Sequence, residues 1–504
     1  EYQCHHLQVL ISEYDLSKFY KHFTMKTNIR LVANPVAEMS GIMLIKDVEN
    51  LKTDLLSTEE INYIIEQKAN NQIDQFSFNR LKRWVFVKII DTRNHKANGL
   101  ENFRKAGDDF QHMVNKLKID SVWITGNDAE KEDIIAFAEG IILGNYQFTR
   151  FITDQARRAN SLSSLLVYHP TVTQNDIDQL EIVTEAVTAA RDLINLPASH
   201  LTAESMAGHF AVMGEESGVK TEIFEKKKIE SIKMGGLLAV NKGSVDPPTF
   251  TVMEYKPENA INARPVVLVG KGIVYDTGGL NIKSGNFMEN MKSDMAGAAM
   301  MAAAISAVAK ARFPLYVVAL LPATDNRPDG NAFASGDVIT MHNGQTVEIV
   351  NTDAEGRMIL ADALSYAQKY DPELVINAAT LTGSAQRALG KYGTAAMQAN
   401  ASDQLKNLIA SGNTVYERLV EFPMWDEYAD HLKSEIADMK HLGIPEGGMI
   451  IAGKFLEKFT SYPFIHLDIA GVAFAEKRDS YRNVGGTGFG VRLLFDFLKN
   501  MPHA

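Results

Sequence analysis

The sequence predicts a two-domain α/β protein, with a smaller N-terminal α/β domain and a larger C-terminal α/β domain built on a central mixed, largely parallel sheet flanked by helices. Three observations predict it. At 504 residues the chain exceeds what one compact core serves. Short apolar runs of strand length alternate with helix-compatible stretches on both sides of residue 170. Between the two halves, Tyr168-His169-Pro170 precedes one long amphipathic stretch. The expected organisation is therefore an N-terminal tail over 1–24, a first domain over 25–170, a linker helix over 171–198 and a second domain over 199–504.

In the tail, Met25-Lys26-Thr27 opens the first strand-like run, and Met25 is a candidate natural start that would make the preceding residues non-native. The strands expected in the first domain are Ile29–Val32, Trp84–Ile90 and Ser121–Gly126, with helices over Phe103–Leu117 and Lys131–Leu143. No catalytic constellation stands out there: His95, His112 and His169 are scattered and read as bystanders. From Gln174 to Asn195, Leu180, Val183, Val187, Ala190 and Ile194 recur at helical spacing, so they share one face, and Pro197 marks the end. This helix either bridges the domains or covers an edge of the second.

Beyond Leu201 the apolar runs Phe250–Tyr255, Val266–Val269, Leu315–Leu321, Leu374–Ala379 and Phe464–Ile469 have the length of buried strands. Asp294–Val308 is almost entirely Ala and Met, and predicts a helix buried on most sides. Ligands of open α/β sheets gather at the carboxyl ends of strands. Two charged clusters and Thr380-Leu381-Thr382-Gly383 lie just past such ends.

Composition narrows the function classes. The chain is 45% hydrophobic and 22% charged, without an apolar run of membrane-spanning length. A net charge of −11 argues against nucleic acid or anionic lipid as partners. Lys226-Lys227-Lys228 reads as a solvated helix face. The single cysteine, Cys4, leaves no intramolecular disulfide and no thiolate cluster, and points to a reducing, cytoplasmic setting.

The first charged cluster is Asn351-Thr352-Asp353-Ala354-Glu355-Gly356-Arg357, between the apolar runs Val347–Val350 and Met358–Leu360. Asp353 and Glu355 are two apart, so in a turning backbone both can converge on one point, with Gly356 letting the chain fold away. The second cluster contributes Lys271, Asp276, Lys283 and Asp294. Four carboxylates in Gly-rich, apolar surroundings need positive charge. Helix capping by the heptad and a buried ion-pair network with the lysines and Arg357 are one account. The other is a dinuclear site with two metals roughly 3.5–4 Å apart, whose shared water attacks a polarised carbonyl. Other hydrolytic routes are missing: there is no His-Glu-x-x-His helix, no Gly-x-Ser-x-Gly elbow and no complete phosphate loop around Gly270-Lys271-Gly272.

The heptad resembles the signature of the leucyl aminopeptidase (cytosol aminopeptidase) family of dinuclear metallo-exopeptidases. Gly270–Ile273 through Asp276, Gly278-Gly279, Ile282-Lys283, Met291-Lys292, Asp294-Met295, Ala379–Gly383, Pro423–Trp425 and His466–Gly471 follow the same family with spacing intact. The resemblance covers most of residues 190–500. It implies that Lys271, Asp276, Asp294 and Glu355 hold the tighter metal, and that Asp276, Asp353 with its carbonyl, and Glu355 hold a more exchangeable one. It implies Lys283 as stabiliser of the tetrahedral gem-diolate and Arg357 as the seat of a bicarbonate general base. It also implies a pocket for the first side chain at Met291, Thr380, Gly383 and Ala470, with the Leu381 carbonyl accepting from substrate nitrogen. Thr277, Tyr275 and Asn241-Lys242 depart from commoner family residues, but none is a proposed ligand.

On this resemblance the expected function is removal of N-terminal residues, preferably leucine or other large apolar ones, from peptides with a free N-terminus. Two divalent ions are implied, zinc first, with manganese, magnesium or cobalt also suited to an oxygen and amine site. A homohexamer, a dimer of trimers, is implied as well. A Cys-Gly dipeptidase role in thiol turnover and a DNA-binding regulatory homologue are the alternatives.

Overall fold

The structure is a computed structural model that describes residues 26–36, 38–51, 53–90 and 99–501. The expected tail 1–24 with Cys4, the candidate start Met25, and His95 lie outside the described residues. The described chain divides into two compact α/β units. One comprises the residues up to Thr188 together with Lys477–Val484, and the other Ala189–Glu476 with residues 485–501.

In the first unit, β1 (Asn28–Leu31), β2 (Gly41–Ile45), β3 (Gln75–Asn79), β4 (Trp84–Ile89), β5 (Ser121–Gly126) and β6 (Ser164–Val167) form a sheet in the order β1-β6-β5-β2-β4-β3. Every described pairing is parallel except β3 with β4. Parallel strands are covered on both faces, so β2 is buried at every position and shows no alternation. Helices α1 (Thr58–Asn71), α2 (Gly99–Lys116) and α3 (Lys131–Asn145) cover the sheet. A Cβ on Gly107 would lie 2.1 Å from the Phe137 carbonyl, and one on Gly140 would lie 1.9 Å from that of Arg104, so glycine alone permits the α2–α3 approach. The returning segment is held by Tyr481, whose hydroxyl donates to Glu101, and by Arg478, whose guanidinium donates to Asp108.

The division between the units falls within α4 (Gln174–Asn195). The second unit is built on β7 (Lys220–Phe224), β8 (Thr249–Tyr255), β9 (Val266–Gly270), β10 (Gly272–Asp276), β11 (Val317–Asn326), β14 (Leu374–Ala379), β15 (Thr394–Ala399), β16 (Leu419–Glu421) and β18 (Phe464–Asp468). Their order is β16-β15-β18-β14-β9-β11-β8-β7, with β10 beside β11. The centre is parallel, and β15, β8 and β7 add antiparallel pairings. β12 (Val338–Thr340) and β13 (Thr346–Glu348), which precede the charged heptad, form a small sheet with the later strand β17 (Met439–Lys440). The Lys226–Ser231 helix exposes its three lysines.

Two helices clamp the centre. Helix α5 (Ala296–Lys310) lies close to the sheet: a Cβ on Gly270 would stand 2.5 Å from the Gly297 carbonyl, and one on Gly297 2.2 Å from that of Ala378. The Ala-rich composition therefore answers a steric demand. Helix α6 (Gly356–Ala367) packs on the opposite face, where Met358, Ile359 and Leu360 share a core with Val267, Val269, Val375 and Phe464.

Candidate metal centre

Three parallel strands end side by side. Gly270 pairs with Ala378, and Ala379 with Asp468, so Lys271, Thr380 and Asp468 stand together at the carboxyl edge of the sheet. Lys271 is the single residue between β9 and β10, and Asp276 closes β10. Asp294 ends the short turn Met291–Ser293 that leads into α5. Asp353 and Glu355 occupy the turn leading into α6. Capping there is performed by Asn351, whose Oδ1 accepts the Asp353 N–H at 2.8 Å, while Glu355 makes no side-chain cap bond. Neither carboxylate is used for capping, and both face lysines instead.

Lys271 Nζ lies 2.8 Å from Asp294 Oδ1 and 2.9 Å from Glu355 Oε1, and donates to the Thr380 carbonyl at 3.0 Å. Lys283 Nζ lies 2.7 Å from Asp276 Oδ2 and 2.5 Å from Asp353 Oδ1. Asp276, Asp353 and Glu355 each place a carboxylate oxygen within 4.8 Å of the others. Lys271, Asp276, Asp294 and Glu355 are buried, whereas Asp353 is only partly so, with 33% of its side chain exposed. Gly356 enters differently than expected: its φ is not positive, and its missing side chain makes room for Lys271, because a Cβ would lie 2.4 Å from Lys271 Cε.

Burial raises the pKa of Asp276 well above the carboxylate range, that of Asp294 to about 6, and that of Asp353 upward. Burial also opposes the charge of Glu355, but Lys271 and Lys283 outweigh it and hold its pKa low. For Lys271, burial is outweighed by Asp294, Glu355 and Asp276, and its pKa is raised; Lys283 follows the same pattern through Asp276, Glu355 and Asp353. Without a metal, then, two ammonium groups stand among four carboxyl groups, of which Asp276 and Asp294 are the most ready to hold a proton.

The donor set fits divalent cations. Glu355 Oε2 is buried without a hydrogen-bond partner, and Asp294 Oδ2 lies 2.8 Å from Lys271 Nζ without hydrogen-bond geometry. A buried carboxylate oxygen left open is costly in an apolar setting and gains from a cation. Hard oxygen donors with one amine suit zinc, manganese, magnesium or cobalt. A ligating lysine must first lose its proton.

Arg357 is buried on the first turn of α6. Its Nη1 donates to the His441 carbonyl at 2.7 Å, its Nε has no partner, and among the described residues no carboxylate lies within ion-pair distance of it. Burial lowers its pKa to about 10 against the opposing pull of Glu355 and Asp468. His441 is a brace that sequence reasoning missed. Its Nδ1 accepts the Val350 N–H at 3.1 Å and its Nε2 donates to the Asn351 carbonyl at 2.9 Å, which sets the neutral tautomer. Burial, reinforced by the Arg357 charge, holds its pKa down to about 4.

The expected pocket residues border the same edge. Thr380 donates its hydroxyl to Asp294 Oδ1 at 2.7 Å, so that group orients a carboxylate as well as standing at the pocket. The Leu381 and Ala470 N–H groups both donate to Asp468 Oδ1 at 3.2 Å. Met291 opens the turn to Asp294, and Gly383 opens the helix Gly383–Leu389, capped by Thr382. Asn326 was also missed: its Nδ2 donates to Asp276 Oδ1 at 2.9 Å and to the Thr352 carbonyl at 3.0 Å, tying the two charged clusters together. Neither Asn326 nor His441 carries a local spacing signal.

Residues 188–495 match the model of the cytosol aminopeptidase family, catalytic domain. A probable cytosol aminopeptidase of Chlorobaculum parvum is 43% identical over 424 residues, covering 80% of this chain and 84% of that protein. Among solved structures, the bottromycin maturation enzyme BotP in complex with Mn superposes with a TM-score of 0.80 at 27% identity, covering 92% of this chain and 99% of that one. A tomato leucine aminopeptidase mutant superposes with a TM-score of 0.81 at 25% identity, covering 94% and 96%.

Proposed function

The chain belongs to the cytosol aminopeptidase family and is a metal-dependent aminopeptidase, and from that premise we propose that it releases leucine and other large apolar residues from the N-terminus of peptides. The observation that carries the reading is the convergence of Lys271, Asp276, Asp294, Asp353 and Glu355 with a buried carboxylate oxygen left open. In this reading catalysis belongs to residues 199–504, preceded by a first domain over 25–170 and the linker over 171–198.

Lys271, Asp276, Asp294 and Glu355 would hold one ion, and Asp276, Asp353 with its carbonyl, and Glu355 the other. Zinc is the first choice; the manganese named with BotP supports manganese as an alternative. When bound, such a pair supplies an activated water and a polarised carbonyl. The chain's own residues do the rest. Lys283 brings a positive charge that can follow the oxyanion as it forms, a contribution strengthened where water is scarce. Arg357, buried and without a carboxylate partner, suits a small anion such as bicarbonate, which would take the proton from the attacking water. Met291, Thr380, Gly383 and Ala470 would receive the first side chain, and the Leu381 carbonyl would orient the substrate nitrogen.

Homohexamer assembly and a cytoplasmic location complete the proposal, both resting on family likeness. No helix of the described residues is long and apolar enough to cross a membrane. The test is hydrolysis of leucine p-nitroanilide by chelator-stripped protein reconstituted with zinc or manganese, beside Asp353→Ala. Metal-dependent turnover that the variant loses, with an N-acetylated peptide left intact, is the expected result. No turnover with any metal or N-terminal residue, despite bound metal, overturns it.

A further inference from the structure

We propose that Asp468 is a positioning residue that orients two successive carbonyls at the substrate pocket, Thr380 and Leu381, and thereby governs selectivity for the first side chain; this rests on the pocket reading above. Asp468 ends β18 beside Ala379, the last residue of β14. One further backbone bond, from the Ile469 N–H to the Ala379 carbonyl at 2.8 Å, closes the ladder, and past it the two segments leave the sheet. The carboxylate takes over. Its Oδ1 accepts the N–H groups of Leu381 at 3.2 Å, Thr382 at 3.3 Å and Ala470 at 3.2 Å, and its Oδ2 accepts the Thr382 hydroxyl at 2.6 Å. The Thr382 oxygen in turn accepts from Ser384 Oγ at 2.9 Å and the Ala385 N–H at 3.1 Å, which anchors the helix Gly383–Leu389.

The consequence follows from peptide planarity. A trans peptide sets its N–H and the preceding carbonyl antiparallel in one plane. Holding the Leu381 N–H therefore aims the Thr380 carbonyl, which accepts from Lys271 at 3.0 Å. Holding the Thr382 N–H aims the Leu381 carbonyl away from Asp468, as an acceptor for substrate nitrogen. The third N–H fixes Ala470 on the facing loop. One side chain thus ties both loops of the pocket to each other.

The donor set supports the same role. Asp468 is 1% exposed, and among the described residues no ammonium or guanidinium lies within ion-pair distance. Four converging donors satisfy both oxygens of an ionised carboxylate, which a neutral amide cannot do, since half of it is a donor. Burial raises the Asp468 pKa and outweighs these donors, which oppose the rise.

The test compares leucyl and alanyl p-nitroanilides on metal-loaded wild type, Asp468→Asn, Asp468→Ala, Thr382→Val and Met291→Ala, with metal content and Tm measured for each. Asp468→Asn is expected to keep both metals and lose about tenfold or more in kcat/KM for the leucyl substrate, because small displacements of orienting groups are felt strongly in rate. The leucyl-to-alanyl ratio is expected to fall, with a smaller fall in Thr382→Val. Lower Tm with an unchanged ratio in both variants assigns Asp468 a purely structural role and overturns the proposal. Should Asp468→Ala fail to fold, Asp468→Asn and Thr382→Val decide. An unchanged ratio in Met291→Ala overturns the pocket reading itself, and the proposal with it; a shift there without one in Asp468→Asn overturns the proposal alone.

Discussion

Lys271 Nζ lies 2.9 Å from Glu355 Oε1, joining the break between two central strands to the first turn of α6. The ammonium stands among the carboxylates that suit a cation, so protons and metals compete there. Burial disfavours the lysine's charge, but Asp294, Glu355 and Asp276 overcome it and keep the proton in place, while burial raises Asp294 to about 6. Metal binding must expel the lysine's proton and, as pH falls, those that the raised pKa values of Asp276 and Asp294 retain. All three protonations oppose the metal, so affinity rises with pH and is weaker below about 6. Calorimetric zinc titration at pH about 5.5 and about 7.5, in buffers of different ionisation enthalpy, should show weaker binding and greater proton release at the lower pH. Equal affinity and no proton release would contradict this account.

Lys283 joins Asp276 and Asp353 without being needed as a ligand. Lys283→Ala should retain both metals, since removing the ammonium leaves the carboxylates freer to bind them. Its kcat should fall roughly 10²–10³-fold, the cost of losing one preorganised group at a developing oxyanion. Loss of metal with kcat recovered at saturating zinc would show instead that the lysine serves metal binding.

Arg357 couples the heptad to His441 and leaves its Nε open. Wild-type activity should rise with added bicarbonate, and Arg357→Ala should lose that response along with much of kcat. Arg357→Lys should recover the response in part, because an ammonium supplies the charge without the planar fork. Identical bicarbonate curves for wild type and Arg357→Ala would remove the anion from the mechanism.

Asp362 is fully buried on α6, accepting the N–H groups of Leu237 and His342 at 2.9 Å each. Asp362→Ala leaves those donors unsatisfied and should destabilise the protein by about 2–5 kcal/mol in urea unfolding. Burial raises the Asp362 pKa from 3.8 to about 7, so the folded state binds a proton that the unfolded chain has released. Its contribution is therefore full below 3.8 and is lost as pH rises through about 7. Relative to wild type, Asp362→Asn should gain stability across that window. A stability difference independent of pH would refute the assignment.

Much of the architecture was legible. The run Leu374–Ala379 is a strand over those residues, because a short unbroken apolar run suits a strand buried on both faces, and Gln174–Asn195 is a helix over those residues, because its apolar positions recur at helical spacing over a long stretch. The central strand Gly41–Ile45 was not anticipated. It is five residues long, shows no alternation and begins with a glycine whose place in a strand is explained by the Trp123 ring, 1.9 Å from where its Cβ would be. That neighbour lies on another strand, and no local pattern announces it.

The sequence by itself determined the family, the α/β class and the inventory of carboxylates, lysines and arginine, since residue type and short spacing suffice to propose a cation site. Tertiary structure decided how that inventory is held. Asn326 ties Asp276 to Thr352, His441 carries Arg357 and the heptad's entry, Gly356 yields space to Lys271, and Asp468 joins the two loops beyond the sheet edge. Such contacts are made across strand ends that only folding aligns. Hydrogen bonds and steric fit act over about 3 Å of space whatever the separation along the chain.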